Sequence, residues 1–269
     1  MEELPLVSIV MPVYNAEKYL PEVFESIKKQ SYNKWELICC DDCSTDSSFK
    51  ILKDYSRNDT RIKVLKNESN LRAAATRNKC ISVAKGTFIL LQDADDISLP
   101  NRIEILLSNF KKYKDIDFIS SNVMYFDNDL KWKPSKKYIP IPVNEHAIKG
   151  LCYIHASTMF RKSCLEAVGG YRVSWETKRG QDYDMFMRMM SIGKKGMNIS
   201  DILYEVREDQ EAYSRRKYKY RIAEAVIRFK NYRKLKIPLW GYVYVLKPLI
   251  IGLVPGFFMK KYKELWGSI

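Results

Sequence analysis

Short apolar runs alternate with amphipathic stretches along most of the chain. Val7-Ser8-Ile9-Val10-Met11-Pro12-Val13 is dense in β-branched and apolar side chains and predicts a strand, after which Tyr14-Asn15 turns the chain into a helix expected over 17–30. The pattern repeats: a strand over 35–40, a loop of capping residues over 41–46, and a helix over 48–57 with Phe49, Ile51, Leu52 and Tyr55 spaced for burial. A short strand over 62–65, an alanine-rich helix over 73–84 and a strand over 88–92 follow. Strands alternating with helices in this way predict βαβ units and a parallel sheet, an α/β fold whose loops after the strands share one edge. Further on, a helix is expected over 100–113 and a strand over 118–125. From 126 to 150 the pattern dissolves into Asn, Asp, Lys and Pro, the signature of a long excursion over the loop-bearing face. A returning strand over 154–160, a short helix over 162–168 ended by Gly169-Gly170, and a helix opening at 180 with Met185, Phe186, Met189 and Met190 inward complete this part.

Two acid clusters fall on the shared edge. The run Phe88-Ile89-Leu90-Leu91-Gln92 reads as a strand buried on both faces, and it ends in Asp93-Ala94-Asp95-Asp96. Like charges this close repel, so either one carboxylate is protonated or a positive group sits among them, and a hard divalent cation with oxygen ligands is the economical choice. An acidic surface loop capping the next helix is the plainer alternative. Asp41-Asp42 closes the second strand, and with both clusters on one edge a shared crevice is expected. Asp182 lies in the first turn of its helix, where the helix dipole favours a carboxylate.

The 269 residues suffice for one large domain, or for a domain with an appendage, and 46% hydrophobic content is ample for a core. The net charge of +14 is uneven: residues 205–269 hold 15 Lys/Arg against 6 Asp/Glu. Such a tail suits nucleic acid or an anionic membrane surface. The N-terminus has neither a basic leader nor an apolar core segment, so no cleaved signal is expected and the body should stay in the cytoplasm. Six cysteines are scattered rather than framed for disulfides; Cys40-Asp41-Asp42-Cys43 has no second pair at finger spacing, which favours buried or loop cysteines over zinc or redox chemistry. No glycine occurs in 11–20, which counts against a dinucleotide-binding loop or a nucleotidyltransferase loop after the first strand.

Taken in order, these segments resemble family 2 glycosyltransferases of the bacterial polysaccharide-assembly type. These are inverting, nucleotide-sugar-dependent enzymes with the GT-A fold, a Rossmann-like, mostly parallel sheet flanked by helices. The likeness spans roughly residues 6–215. It rests on the opening strand through Tyr14-Asn15, on Asp41-Asp42-Cys43-Ser44-Thr45-Asp46, on Arg77-Asn78, on Asp93-Ala94-Asp95-Asp96 and on Gln181-Asp182. The resemblance implies that Pro12, Tyr14 and Asp42 line a uridine site, with Asp42 accepting from the base. It also implies that Asp93 and Asp95 belong to the nucleotide site, that Asp95 and Asp96 hold Mg²⁺ or Mn²⁺ on the diphosphate, and that Asp182 is the general base. A leaving diphosphate develops negative charge that a divalent ion neutralises, and a sugar hydroxyl needs a carboxylate to take its proton.

Three positions depart from the family pattern: Cys43 and Arg72 stand where glycine is usual, and Gln181 where glutamate is. Arg72 could grip a diphosphate bidentately or simply face solvent. His155 reads as a satisfied core residue ahead of a metal or acceptor contact. Arg207 and Arg215-Arg216 could touch the diphosphate, close over it, or be basic surface.

The chain is expected to divide into a GT-A domain over 1–212 and a basic amphipathic helix with an apolar tail over 213–269. Tyr218, Ile222, Ala225, Val226 and Phe229 share one helical face, with Arg and Lys on much of the rest. Residues 239–259 are long enough to span a bilayer, but Pro248, Pro255, three glycines and Lys247 argue for broken helices in the membrane interface, or else a subdomain packed on the core or a dimer contact. The expected partners are a nucleotide-sugar donor, a glycan or polyprenyl-diphosphate-linked acceptor and the inner face of the cell membrane, with no nucleic acid and with a homodimer open. A non-catalytic nucleotide-sugar-binding or scaffold protein of the same fold is the alternative.

Overall fold

The computed structural model describes residues 4–127, 130–132, 140–142, 144–150, 152–207 and 218–253. The first half builds as its alternation dictates: β1 (Val7–Val13), α1 (Leu20–Lys28), β2 (Trp35–Asp41), α2 (Ser48–Asn58), β3 (Ile62–Lys66), α3 (Arg72–Ser82) and β4 (Phe88–Leu91). The second half holds β5 (Ile97–Ser98), α4 (Arg102–Lys112), β6 (Phe118–Asp127), β7 (Leu130–Trp132), α5 (Asn144–Lys149), β8 (Met159–Arg161), α6 (Lys162–Ala167), α7 (Gln181–Ser191), β9 (Gly196–Arg207), α8 (Lys219–Lys234) and α9 (Val243–Leu253).

Among the described residues one sheet of nine strands runs in the order β3-β2-β1-β4-β8-β6-β9-β5, with β7 on β6. The four strands from β3 to β4 are parallel, so all end at the same edge. Val13 lies opposite Asp41 and Asp41 opposite Lys66, while Val10 lies opposite Leu91. Extending that last pairing by two positions brings Asp93 level with Pro12. One core fills the side of the sheet against α1, α2 and α4, and a second lies under α3, α6 and α7.

Two segments differ from the sequence pattern. Residues 196–207, to which the sequence pattern assigns no element, form β9, paired parallel with β6 across a bulge at Ser121/Asn122. Gly196 opens it because a Cβ there would stand 2.1 Å from the Phe118 ring. The strand expected over 154–160 is shortened to β8, because a 3₁₀ turn at His155–Ser157 precedes it. There the Ser157 and Thr158 hydroxyls both donate to the Ile154 carbonyl at 2.9 Å, closing a turn in place of a ladder.

On α8 the apolar face splits: Ala225 is buried, while Tyr218 before the helix, Ile222 and Phe229 are 43%, 44% and 50% exposed. Ala223, Ile227, Arg228, Asn231 and Tyr232 are also buried, and the polar groups among them find partners. Arg228 Nη1 donates to the Ile148 carbonyl of α5 at 2.8 Å and Asn231 Nδ2 to Asp184 of α7 at 3.1 Å, so α8 packs on both helices through satisfied polar contacts as well as apolar ones. No described helix is long and apolar enough to cross a membrane. Arg215-Arg216, Pro255, the 212/213 boundary and much of the 126–150 excursion lie outside the described residues.

Candidate active site

The parallel edge is built by loops that lash to one another. The Asp42 N–H donates to the Val13 carbonyl at 2.7 Å, joining the tips of β1 and β2. Asn15 accepts the Thr45 N–H at 2.9 Å, and the Ala16 N–H donates to Ser48 Oγ at 2.8 Å. Pro12 is half-buried and Tyr14 is 51% exposed at the mouth of this junction.

Asp42 is buried, and its carboxylate accepts the Asn67 amide and the Leu71 N–H on Oδ1 and the Arg72 N–H on Oδ2, each at 2.8 Å. It therefore pins the start of α3. A carboxylate offers about four acceptor sites, so three internal bonds leave one open.

Cys43 and Arg72, the two residues standing where glycine is usual in the resembling family, both have positive φ, 61° and 70°. The loops keep the left-handed backbone that glycine adopts freely, at a cost of roughly 1–2 kcal/mol for each side chain. The Arg72 side chain is exposed beside Asp42.

From α3 two adjacent side chains reach in different directions. The Arg77 guanidinium, 5% exposed, pairs through Nη2 with Asp93. Its Nε and Nη1 are buried without hydrogen-bond partners among the described residues, so Asp93 is the anion that compensates it. Asn78 clamps the backbone of Tyr171, donating to its carbonyl at 2.7 Å and accepting its N–H at 2.8 Å. Gly170, at φ +68°, permits this approach, since a Cβ would lie 2.6 Å from Asn78 Oδ1. The Arg-Asn pair thus ties the acid loop and the segment leading to α7 to one helix. Sequence reading noted the pair but could not give it this task, because both partners are distant in the chain.

The acid loop is held from below. Gln92 donates to the Asp93 and Asp96 carbonyls at 3.0 and 2.8 Å and accepts from Ser98 and from Arg102 Nη1. Arg102, fully buried, donates to the Leu91 and Ala156 carbonyls, and its guanidinium lies 4.1 Å from the Tyr204 ring centroid. The Tyr204 hydroxyl accepts the Asp93 N–H at 2.9 Å. Gln92, Arg102 and Tyr204 are supports that sequence reading missed; a buried Arg at the first position of α4 carries no local signal.

Within the loop the carboxylates differ. Burial opposes ionisation of Asp93, but Arg77 and the other nearby charges outweigh it and hold the group below the usual range. Burial, then the Asp93 charge, pushes Asp95 up to about 6. Asp96 is pushed well above its ordinary value by burial and by both neighbours. The fold also turns Asp96 inward: it is 3% exposed and accepts the Arg207 N–H at 2.8 Å. Of the two carboxylates expected to hold a metal ion, Asp95 is the half-exposed one. Among the described residues no three His, Cys, Asp or Glu side chains form a metal cage. Arg207, considered as a diphosphate contact, is a staple: it also donates to the Asp95 carbonyl at 3.0 Å and pairs with Glu22 at 2.7 Å.

Asp182 is half-exposed in the first turn of α7, and burial raises its carboxyl above the ordinary value while Arg77 draws it back. Arg77 acts in the same way on Asp95, and both Asp93 and Asp182 act on Tyr171. Arg77 thus favours the charged form of both Asp95 and Asp182. His155 bonds Tyr171 across 2.7 Å and is held neutral, its pKa lowered to about 3 by burial and Arg77.

The family model Glycosyl transferase family 2 matches residues 8–169. EpsE of Bacillus subtilis (strain 168), named as a glycosyltransferase, is 37% identical over 265 residues, 98% of this chain and 95% of that one. WfgD of Escherichia coli, named UDP-Glc:alpha-D-GlcNAc-diphosphoundecaprenol beta-1,3-glucosyltransferase, is 42% identical over 125 residues, 46% of this chain and 48% of that one. The crystal structure of S. aureus TarS 1-349 in complex with UDP-GlcNAc shares the fold, with TM-score 0.70 at 20% identity, over 98% of this chain and 76% of that one.

Proposed function

The chain belongs to glycosyl transferase family 2, and from that premise we propose that it transfers a hexosyl or N-acetylhexosaminyl unit from a UDP-sugar to a hydroxyl of a lipid-linked glycan, with inversion, during polysaccharide assembly at the inner face of the membrane. The observation that carries this reading is the convergence on Arg77. It pairs with the Asp93 loop while Asn78 beside it fixes the segment that ends in Asp182.

Asp42 keeps one acceptor site, and the single imide N–H of a uracil needs one. Pro12 and the exposed Tyr14 form the wall beside it, and Asp93 extends the nucleotide site along the sheet edge. UDP-GlcNAc in the TarS complex and the UDP-Glc in the name of WfgD favour uridine. Asp95 would hold Mg²⁺ or Mn²⁺, which supplies neutralisation of the diphosphate as it leaves. Arg72, exposed at the start of α3, would reach the same diphosphate. On the other side Asp182 takes the proton of the acceptor hydroxyl as that oxygen attacks the anomeric carbon and the bond to the diphosphate breaks. Its raised pKa suits it to that task, since a base too acidic would hold the proton poorly. One base and one in-line displacement invert the centre. The polyprenyl-diphosphate acceptor follows the undecaprenol in the name of WfgD.

A panel of nucleotide sugars, each followed by thermal shift and hydrolysis with and without Mn²⁺, tests the reading. One UDP-sugar should stabilise and turn over only with the ion. Stabilisation with no turnover for any donor, even with added acceptor lipid, would favour the non-catalytic alternative.

A further inference from the structure

The 3₁₀ turn Leu239–Tyr242 and α9 leave a row of large apolar side chains in water. Leu239, Trp240, Val243, Leu246, Ile250 and Leu253 are 89%, 54%, 68%, 52%, 62% and 73% exposed. The positions 243, 246, 250 and 253 repeat at helical spacing, so they form one stripe along α9. The opposite side of α9 packs on α8, where a Cβ on Gly252 would meet Arg221 and Tyr218. The stripe is therefore a second face of a helix already seated, and single exposed hydrophobics are common where a contiguous row is not.

Beside the stripe lies a pocket of about 480 Å³ whose lining includes Phe229, Arg233 and Lys234. Its other charges are largely spent on one another: Arg172 pairs with Glu176 and Asp184, and Lys230 with Glu176. The Asp184 carboxylate, also in the lining, is further neutralised by Arg188 at 2.8 Å. Arg233 and Lys234 are exposed and pair with no carboxylate among the described residues. Phe229 links the pocket to the turn that carries Leu239 and Trp240, since its ring meets that of Tyr242, the last residue of the turn, edge-on at 5.9 Å.

We propose that this face docks on an anionic phospholipid bilayer, with the α9 stripe among the acyl chains and the Arg233–Lys234 pocket on lipid phosphate. The charge pattern selects the lipid over a second copy. Residues 225–253 contain no Asp or Glu, and Arg233 and Lys234 are exposed there, so a symmetric dimer through this face would set like charges against each other, whereas anionic headgroups complement them. An exposed apolar stripe with cations beside it is the pattern of an interfacial helix. The placement also suits the proposed acceptor, a point that rests on the transferase reading. Asp184 and Asp182 are two positions apart on α7, so the base and the bilayer-facing pocket lie across one helix, about 10 Å.

The full chain is tested by flotation with vesicles of phosphatidylcholine alone or mixed with phosphatidylglycerol, without donor or acceptor, so that the result is independent of turnover. Wild type should float with the anionic vesicles. The double substitution Leu246→Glu/Ile250→Glu should lower partition by about tenfold or more, and Arg233→Glu/Lys234→Glu should remove the preference for anionic lipid. Unchanged Mn²⁺-dependent UDP binding checks that each variant is folded. Flotation equally strong in the Leu246→Glu/Ile250→Glu variant would overturn the proposal by placing membrane binding elsewhere. So would absence of wild-type flotation together with a concentration-dependent dimer that this variant dissolves.

Discussion

The sheet edge and the α8–α9 face break the same rule in opposite directions. At the edge, Asp42, Asp96, Arg77 and Arg102 are ionisable side chains and buried; on the α8–α9 face, Leu239, Val243 and Ile250 are apolar and exposed. Buried charge at the edge is tolerated because protein groups answer most of it: three N–H donors on Asp42, Asp93 on Arg77, two carbonyls on Arg102. The outer face has no such answer among the described residues, and the bilayer is the partner proposed for it. The contrast separates the two proposals: preorganised polar chemistry is assigned to the region where the fold closes on itself, and adhesion to the region where it leaves apolar side chains in water.

The largest effect expected from breaking the edge is chemical. Asp182→Asn removes the proton acceptor and should lower turnover by about 10²–10⁴-fold. UDP-sugar affinity, read by calorimetry, should stay at the wild-type value, because Asp182 serves the acceptor side; loss of both would remove it as base. Next comes Gly170→Ala, which forces a side chain into a positive-φ position and against Asn78. It should cost about 2–3 kcal/mol in urea unfolding. An unchanged midpoint would mean that Asn78 does not hold the Tyr171 segment as described.

A smaller effect separates backbone from side chain at Arg72. Arg72→Gly relieves the left-handed strain but loosens the unfolded chain less favourably, so stability should stay within about 1 kcal/mol. Donor affinity should fall by roughly tenfold as one charge-assisted contact is lost. Unchanged affinity would leave Arg72 a solvent-facing residue.

The smallest expected effect is on pH dependence. His155 has a folded-state pKa lowered to about 3 against an ordinary 6.5, so the unfolded chain binds the extra proton between those values. Stability from this group is whole above pH 6.5 and is lost as pH falls toward 3. Between pH 7 and 5.5 the loss should be about 1 kcal/mol, and His155→Gln should remove it. Asp95, whose carboxyl is raised to about 6, works with the opposite sign, so the comparison between wild type and variant isolates His155. The same slope in both proteins would contradict a neutral, buried-side imidazole.

Much of the edge is legible in the sequence because strand, turn and acid follow one another locally. Val7–Val13, Asp41-Asp42 and Asp93-Ala94-Asp95-Asp96 each announce their place, and parallel crossovers bring them together. What stays hidden depends on long-range partners. Asp96 looks like Asp95 until the Arg207 N–H, supplied by a strand more than a hundred residues later, turns it inward. Strand β9 is obscured by Asn198, Ser200 and Asp201, tolerated because the bulged pairing with β6 decides the element rather than local propensity. On α8 the burial of Arg228 and Asn231, polar by type, has no local signal because it depends on acceptors far along the chain.

One measurement bears most directly on the convergence of these acids: anomalous diffraction at the manganese edge from crystals grown with Mn²⁺ and UDP. The expected map places a single strong peak within coordination distance of the Asp95 carboxylate, with the Asp182 carboxylate facing it across no more than about 10 Å, a sugar's width. A peak held by other residues, or one with Asp182 on the far side of the sheet, would contradict the mechanism.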